Sequence, residues 1–310
     1  MLSICIPVYN FDILPLIRQL HSQLDVLSIN YELLLIDDAS LPEFKKVNQE
    51  VSQFSFIRYI EANTKLGRSK IRNCLAKEAR YPFLLFLDCD SYIPDKHFIR
   101  QYLEILNDET VVCGGRNYPP QNSSPNYILR WLYGRKRECF NADQRNMRPS
   151  HSFLSNNFLI PKVLFEKVTF NEQLNGYGHE DTLFGLELAK AGIKIIHIDN
   201  PLTHIGLETA REFLEKTGQG LENLYQITRK HQSSSELIAN IKILRYYNLL
   251  QRIRGIRAMG NIYSLLRNRL LKNLTGNRPS LLCFDIYKLG YYCQLNLKHK
   301  SKAFNEASGS

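Results

Sequence analysis

The sequence has no run of about eighteen uncharged apolar residues, so a bilayer-spanning helix is not expected. Its opening, Met1 to Asn10, has neither the basic segment nor the small-residue cleavage site of a secretory leader. The expectation is a protein retained in the cytoplasm. The seven cysteines are odd in number and no two form a CxxC pair. That pattern argues against a disulfide framework and against a zinc knuckle. Internal repeats and low-complexity segments are absent, and acidic residues are missing altogether from Leu237 through Asn277. Helix-turn-helix, RNP, zinc and OB signatures are also lacking, so the basic charge does not by itself indicate a nucleic-acid partner.

What is present is an ordinary globular composition: 310 residues, 44% hydrophobic and 23% charged, with a net charge of +10. Such a length can bury one sizeable core and carry a smaller appended piece. The positive excess points to a polyanionic partner or surface.

Short apolar runs alternate with helical patterns over the first hundred residues. Leu2 to Val8, Tyr31 to Ile36, Phe56 to Ile60 and Phe83 to Leu87 read as strands. Ile13 to Leu27 and Lys70 to Ala79 read as helices. Further strands are expected at Val111–Gly115 and Ile193–Ile198, and a helix at Leu183–Lys190 closed by Gly192. This alternation predicts an α/β protein with a mostly parallel sheet flanked by helices. Ligands bind such sheets outside the carboxyl ends of the strands, and two strands here end in acids. Residues 116–152, rich in Asn, Pro, Arg and aromatics, read as a long loop or lid containing Tyr127, Trp131, Tyr133 and Arg135-Lys136-Arg137.

Three acidic patterns could carry chemistry. Asp88 and Asp90 flank Cys89 just past a strand, where both can reach one hard cation such as Mn²⁺ or Mg²⁺. Asp37-Asp38-Ala39-Ser40 ends another strand and could accept hydrogen bonds from a base or ribose. Gly178-His179-Glu180-Asp181 precedes a helix, where a carboxylate could serve as a general base. Taken singly, each pattern also reads as a solvated turn or a helix cap. His204 follows the Glu-Asp pair at a distance that could complete a metal site, although a lone histidine is more often structural.

Together these residues resemble glycosyltransferase family 2. The match runs through Ile6-Pro7-Val8-Tyr9-Asn10, Asp37-Asp38-Ala39-Ser40, Asn63 with Gly67 and Arg72-Asn73, Phe86-Leu87-Asp88-Cys89-Asp90, and Gly178-His179-Glu180-Asp181. The order and spacing hold from residue 1 to about 210. The resemblance implies a GT-A fold, inversion at the anomeric carbon, and a nucleoside-diphosphate sugar donor, with UDP favoured. It implies that Pro7, Tyr9, Asp37, Asp38 and Arg72 surround the nucleoside. Asp88 and Asp90 would hold the ribose and the metal-bound diphosphate, so that the metal residues are Asp90, the more direct ligand, Asp88, and His204, which is placed to join them. Asp181 would be the base. Ser155-Asn156-Asn157-Phe158 resembles the stretch beside sugar and acceptor, so Asn156, Asn157 and Glu180 are expected on that side. A common form of the Glu-Asp motif has glycine where this chain has His179, which bears on the acceptor contacts.

Residues 1–232 are therefore expected to form the transferase domain, and residues 233–310 a basic helical extension after the Gln232-Ser233-Ser234-Ser235 junction. Ile243, Tyr246, Leu250, Ile253, Ile256, Met259, Tyr263, Leu266, Leu270 and Leu274 form one apolar helical stripe with Arg245, Arg252, Arg254, Arg257, Arg267, Arg269 and Lys272 between them. Three readings stay open: a peripheral element on the anionic inner face of a membrane, suited to a glycan or lipid-linked glycan acceptor; a homo-oligomer contact; or a cover for the catalytic core. Tyr287, Tyr291 and Tyr292 suit an interface or a core equally. The alternative to an enzyme is a non-catalytic basic protein that binds nucleic acid or nucleotide.

Overall fold

A computed structural model describes residues 1–121, 124–174, 176–230 and 241–308. The chain divides into two compact units. The first comprises residues 1–120, 134–175 and 180–207, and the second residues 121–133, 176–179 and 208–310. The expected junction at 232/233 lies outside the described residues.

The first unit is built on seven strands: β1 (Leu2–Val8), β2 (Tyr31–Asp37), β3 (Ile57–Glu61), β4 (Phe83–Leu87), β6 (Thr110–Cys113), β8 (Asn157–Pro161) and β9 (Lys194–His197). They lie in the order β3-β2-β1-β4-β8-β6-β9. All neighbours are parallel except β8, which runs antiparallel to both β4 and β6. The apolar runs are continuous because both faces are covered. Ile4, Ile6, Leu33, Leu35, Leu85 and Leu87 point into one core. Their neighbours Cys5, Leu34, Ile36, Leu84 and Phe86 point into the other. That second core is aromatic: Phe86 stacks on Phe158 at 4.8 Å and Phe170 on Phe184 at 4.0 Å between ring centroids.

Helices α1 (Leu14–Leu24), α3 (Arg68–Glu78) and α8 (Glu180–Lys190) match the expected ones within a few residues, and the short α2 (Pro42–Asn48), α4 (Phe98–Leu103) and α7 (Lys162–Lys167) fall between them along the chain. Proline at the start of α1 costs no helical hydrogen bond. Gly192, at φ +71°, closes α8 as its position suggested. A small second sheet, β5 (Ser91–Tyr92), β10 (Leu202–His204) and β7 (Arg116–Asn117), sits just downstream of Asp90 and was not expected.

Two expectations need correction. Residues 116–152 are not a plain loop, because they contain α5 (Ile128–Arg137) and α6 (Ala142–Asn146). Leu129 and Tyr133, one helical turn apart, reach the second unit's core, which supports α5. Reciprocal bonds between Asn141 and Gln144 cap α6: the Gln144 amide donates to Asn141 Oδ1 at 2.9 Å and the Asn141 amide to Gln144 Oε1 at 3.2 Å. Asn-rich composition was read as a loop where it was a cap.

The tail likewise is not one stripe. The second unit contains α9 (Ala210–Lys230), α10 (Lys242–Arg252), α11 (Ile256–Leu274) and α12 (Leu281–Ser308). The break between α10 and α11 falls at Arg254, at φ +57°, where the Gly255 amide donates back to Leu250 O at 2.7 Å. Ile253 is 67% exposed rather than buried. Phe213, Tyr263, Leu270, Leu274, Phe284 and Tyr287 form the core of this unit. At Gly290 a Cβ would stand 2.4 Å from Tyr263 Cβ, so only glycine allows α11 and α12 to approach this closely.

Candidate active site

The turns after β1 and β2 are tied together. The Asp38 amide donates to Val8 O at 2.8 Å, and the Asn10 amide donates to Ser40 Oγ at 2.9 Å. Asp37 is fully buried and accepts from the Ser40 amide at 2.7 Å and from the Tyr59 hydroxyl at 3.2 Å. Asp38 accepts from the amides of Leu66 and Gly67, which fixes the loop leading into α3. Asp37 therefore holds the turn with both oxygens. Pro7 lies on β1, and Tyr9 lies just beyond it with its ring exposed beneath Lys65 Nζ at 3.8 Å.

The end of β4 is different. Asp88 is held by two guanidiniums: Arg72 donates to Oδ1 at 2.7 Å and Arg116 to Oδ2 at 3.3 Å. Arg72 is 2% exposed and also donates to Arg68 O at 3.0 Å. Asp90 has no such holder. Its Oδ1 lies 3.3 Å from His204 Nδ1, but the two do not meet hydrogen-bond geometry. Asp90 Oδ1 and both His204 ring nitrogens are buried without a hydrogen-bond partner. The antiparallel pairing of His204 with Ser91 in the small sheet brings the imidazole to this point. Gly206 leaves room for the carboxylate, since a Cβ there would stand 2.6 Å from Asp90 Cβ. Burial works against the charge on Asp90, but His204, Arg116 and Arg68 outweigh it and hold the carboxyl well below the usual range.

Glu180 and Asp181 open α8. Glu180 is buried and receives the Arg68 Nε–H. Burial opposes its ionisation, and the charges of Arg68 and Arg72 more than compensate, so its pKa falls. Asp181 goes the other way: burial, then the negative charge of Glu180, push its pKa up against the pull of Arg72 and Arg68. Asp181 Oδ1, Ser155 Oγ and Asn156 Oδ1 are buried with no hydrogen-bond partner. The turn leading to this pair is strained at His179, which adopts φ +70°. Asn157 is used up in the sheet: it accepts from Tyr102 at 2.6 Å and donates to Gly115 O at 3.1 Å and Asn200 O at 2.8 Å.

The structure thus gathers Asp88, Asp90, His204, Glu180 and Asp181 around the guanidiniums of Arg68, Arg72 and Arg116. Arg68 and Arg116 were not foreseen. Arg68 precedes Arg72 by one helical turn on α3, a spacing that puts both on one face and could have revealed it. Arg116 had no local signal, because β7 is only two residues long.

Among the described residues no three acids, histidines or cysteines are already arranged around a single point as metal ligands. Asp90 and His204 nevertheless offer an oxygen and a nitrogen, both buried and unsatisfied, which fits a Mn²⁺-like ion completed by ligand oxygens.

The sequence profile of Glycosyl transferase family 2 matches residues 3–169, just over half of the chain. The chain belongs to this family. Two chondroitin synthases are similar to it: that of Escherichia coli is 24% identical over 66% of this chain and 34% of its own length. That of Pasteurella multocida is 24% identical over 56% of this chain and 21% of its own. The chain thus spans about a third or less of the curated relatives it matches. Among solved structures, the mannosyltransferase PcManGT from Pyrobaculum calidifontis in complex with GDP-Man and Mn²⁺ is 13% identical with TM-score 0.60, covering 94% of this chain and 84% of that one. S. aureus TarS 1-349 in complex with UDP-GlcNAc is 18% identical with TM-score 0.51, covering 96% and 92%. These likenesses show the GT-A fold. The acids at the carboxyl edge of its sheet lie where such a fold puts its ligands.

Proposed function

We propose that the protein transfers a sugar from a nucleoside diphosphate, UDP first among the candidates, to a hydroxyl of a glycan or lipid-linked glycan, with inversion. The observation that carries this reading is the group of buried, unpartnered atoms: Asp90 Oδ1, both His204 nitrogens and Asp181 Oδ1. Unmet polar atoms of this kind cost stability, and a ligand that bonds them recovers it. The similarity to structures in complex with UDP-GlcNAc and with GDP-Man and Mn²⁺ supports a nucleotide-sugar donor and a divalent ion.

In this reading Pro7, Tyr9, Asp38 and Arg72 border the nucleoside, with Asp37 holding the turn beneath it. Asp88 is the ribose- and phosphate-side carboxylate, fixed by Arg72 and Arg116. Asp90 and His204 would hold Mn²⁺ or Mg²⁺. When bound, that ion supplies positive charge to a departing diphosphate. Asp181 takes the proton of the acceptor hydroxyl. The acceptor oxygen bonds to the anomeric carbon as the bond from that carbon to the diphosphate oxygen breaks, and the nucleoside diphosphate leaves with the electron pair. Base and leaving group stand on opposite faces of the sugar, which inverts the centre. The raised pKa of Asp181 makes it the better proton acceptor of the adjacent pair, while Glu180 stays ionised on Arg68 and faces the acceptor with Asn156. Asn157 supports that wall from within the sheet.

Calorimetric titration with UDP, GDP and TDP, with Mn²⁺ and with EDTA, tests this. Metal-dependent binding of one nucleotide, lost in Asp90→Ala, is the expected result. Binding of none would overturn it and favour a non-catalytic role. The basic second unit also supports an acceptor presented at an anionic membrane surface. No helix among the described residues is long and apolar enough to cross a membrane.

A further inference from the structure

Helices α10 and α11 each carry large apolar residues that are exposed among the described residues. On α10 and the residue that follows it, Leu244 and Tyr247 are buried, whereas Tyr246, Leu249 and Ile253, spaced i, i+3, i+7, are exposed. On α11, Tyr263 and Leu270 are buried, whereas Ile262 and Leu265 are exposed, Leu265 at 82%. Six arginines lie among these residues: Arg245, Arg252, Arg254, Arg257, Arg267 and Arg269. Among the described residues none of them forms an ion pair, and the segment from Leu237 to Asn277 holds no acid that could supply one. Scattered exposed leucines are normal, but large apolar residues interleaved with unpaired cations on consecutive helices are the signature of an interfacial surface.

We propose that this face of α10 and α11 docks on an anionic lipid bilayer. Charge decides between occupants. A second copy of the chain meeting these helices symmetrically would bring two acid-free arginine-rich segments against each other. A nucleic acid would neutralise the arginines but leave Leu249, Ile253 and Leu265 in water. An anionic bilayer meets both demands: the apolar side chains enter the acyl boundary, and the arginines reach phosphate headgroups from flexible stems. The inference deepens the acceptor reading above, since it would put the enzyme where lipid-linked glycans are, but its test involves no catalysis.

The full chain is sedimented with vesicles of phosphatidylcholine alone and of phosphatidylcholine with phosphatidylglycerol. Binding to the second, weakened by salt, is expected. The substitutions Arg252→Glu and Arg257→Glu should lower the partition by about fivefold or more each. Ile253→Ser with Leu265→Ser should lower it by about tenfold. These side chains are exposed, so the variants should keep the circular dichroism, gel-filtration volume and metal-dependent nucleotide binding of the parent. Retained vesicle binding in the arginine and apolar variants would overturn the proposal, as would failure of the parent to sediment with either vesicle. Self-association that these substitutions abolish would assign the face to a second copy instead. Tight oligonucleotide binding insensitive to the apolar substitutions would assign it to nucleic acid. Vesicle binding without nucleotide binding would sink the donor reading and leave this one standing.

Discussion

The turn after β2 and the cluster around β4 and α8 both carry paired acids at the carboxyl edge of one sheet, yet they differ in what their oxygens do. Asp37 and Asp38 spend theirs on Ser40, Tyr59, Leu66 and Gly67. Asp90 and Asp181 each keep a buried oxygen without a partner. Satisfied carboxylates shape a loop, and unsatisfied ones hold binding capacity in reserve. The Asp-x-Asp pair itself divides the same way, with Asp88 clamped by two arginines and Asp90 beside an unbonded histidine.

The sharpest way to break this comparison is Asp181→Asn. Transfer measured with the donor identified by titration should fall by about a thousandfold while nucleotide binding stays. A modest loss would remove Asp181 from the role of base. The same group sets a pH dependence. Its pKa is raised by burial and by Glu180, and only the ionised form accepts a proton. The acid limb of kcat/KM should therefore lie above the ordinary carboxylate value, and activity should fall as pH drops through it. Its disappearance in a variant that retains slow transfer would confirm the assignment.

Asp90→Ala should abolish the metal dependence of nucleotide binding, and His204→Ala should weaken it, each showing more strongly in binding than in a urea titration. Asp37→Ala should do the reverse. It strands the Tyr59 hydroxyl and the Ser40 amide, and should cost about 1–3 kcal/mol in a urea titration. An Asp37 variant of full stability and lost binding would erase the distinction between the two turns. The smallest effect is expected at His179. Its φ of +70° is one that glycine adopts freely, so His179→Gly should add about 1 kcal/mol of stability. If transfer falls in that variant, the imidazole contributes to the acceptor side.

Much of the parallel sheet was legible because strands covered on both faces read as unbroken apolar runs. Leu2–Val8 and Phe83–Leu87 matched the observed β1 and β4 to the residue. Strand β8 was not legible. Its Asn157 looks like a polar loop residue until Tyr102, Gly115 and Asn200 are seen to consume its side chain. The candidate site was half legible. Acids at strand and helix ends announce themselves, while Arg68 and Arg116 gain meaning only from distant partners. The tail showed its period but not its break, because the spacing of Leu250, Ile253 and Ile256 runs through the bend at Arg254 without interruption.

The sequence by itself determined the strand-helix alternation, the acids that end the strands, and an acid-free basic tail, because each is a local property of neighbouring residues. Only the tertiary structure decided which acids are already satisfied. A hydrogen-bond partner of Asp88 sits 16 residues away and another 28, while the imidazole beside Asp90 comes from more than a hundred residues on. The fold also decided which tail residues face water, since burial depends on what packs opposite a helix and not on the helix's own period.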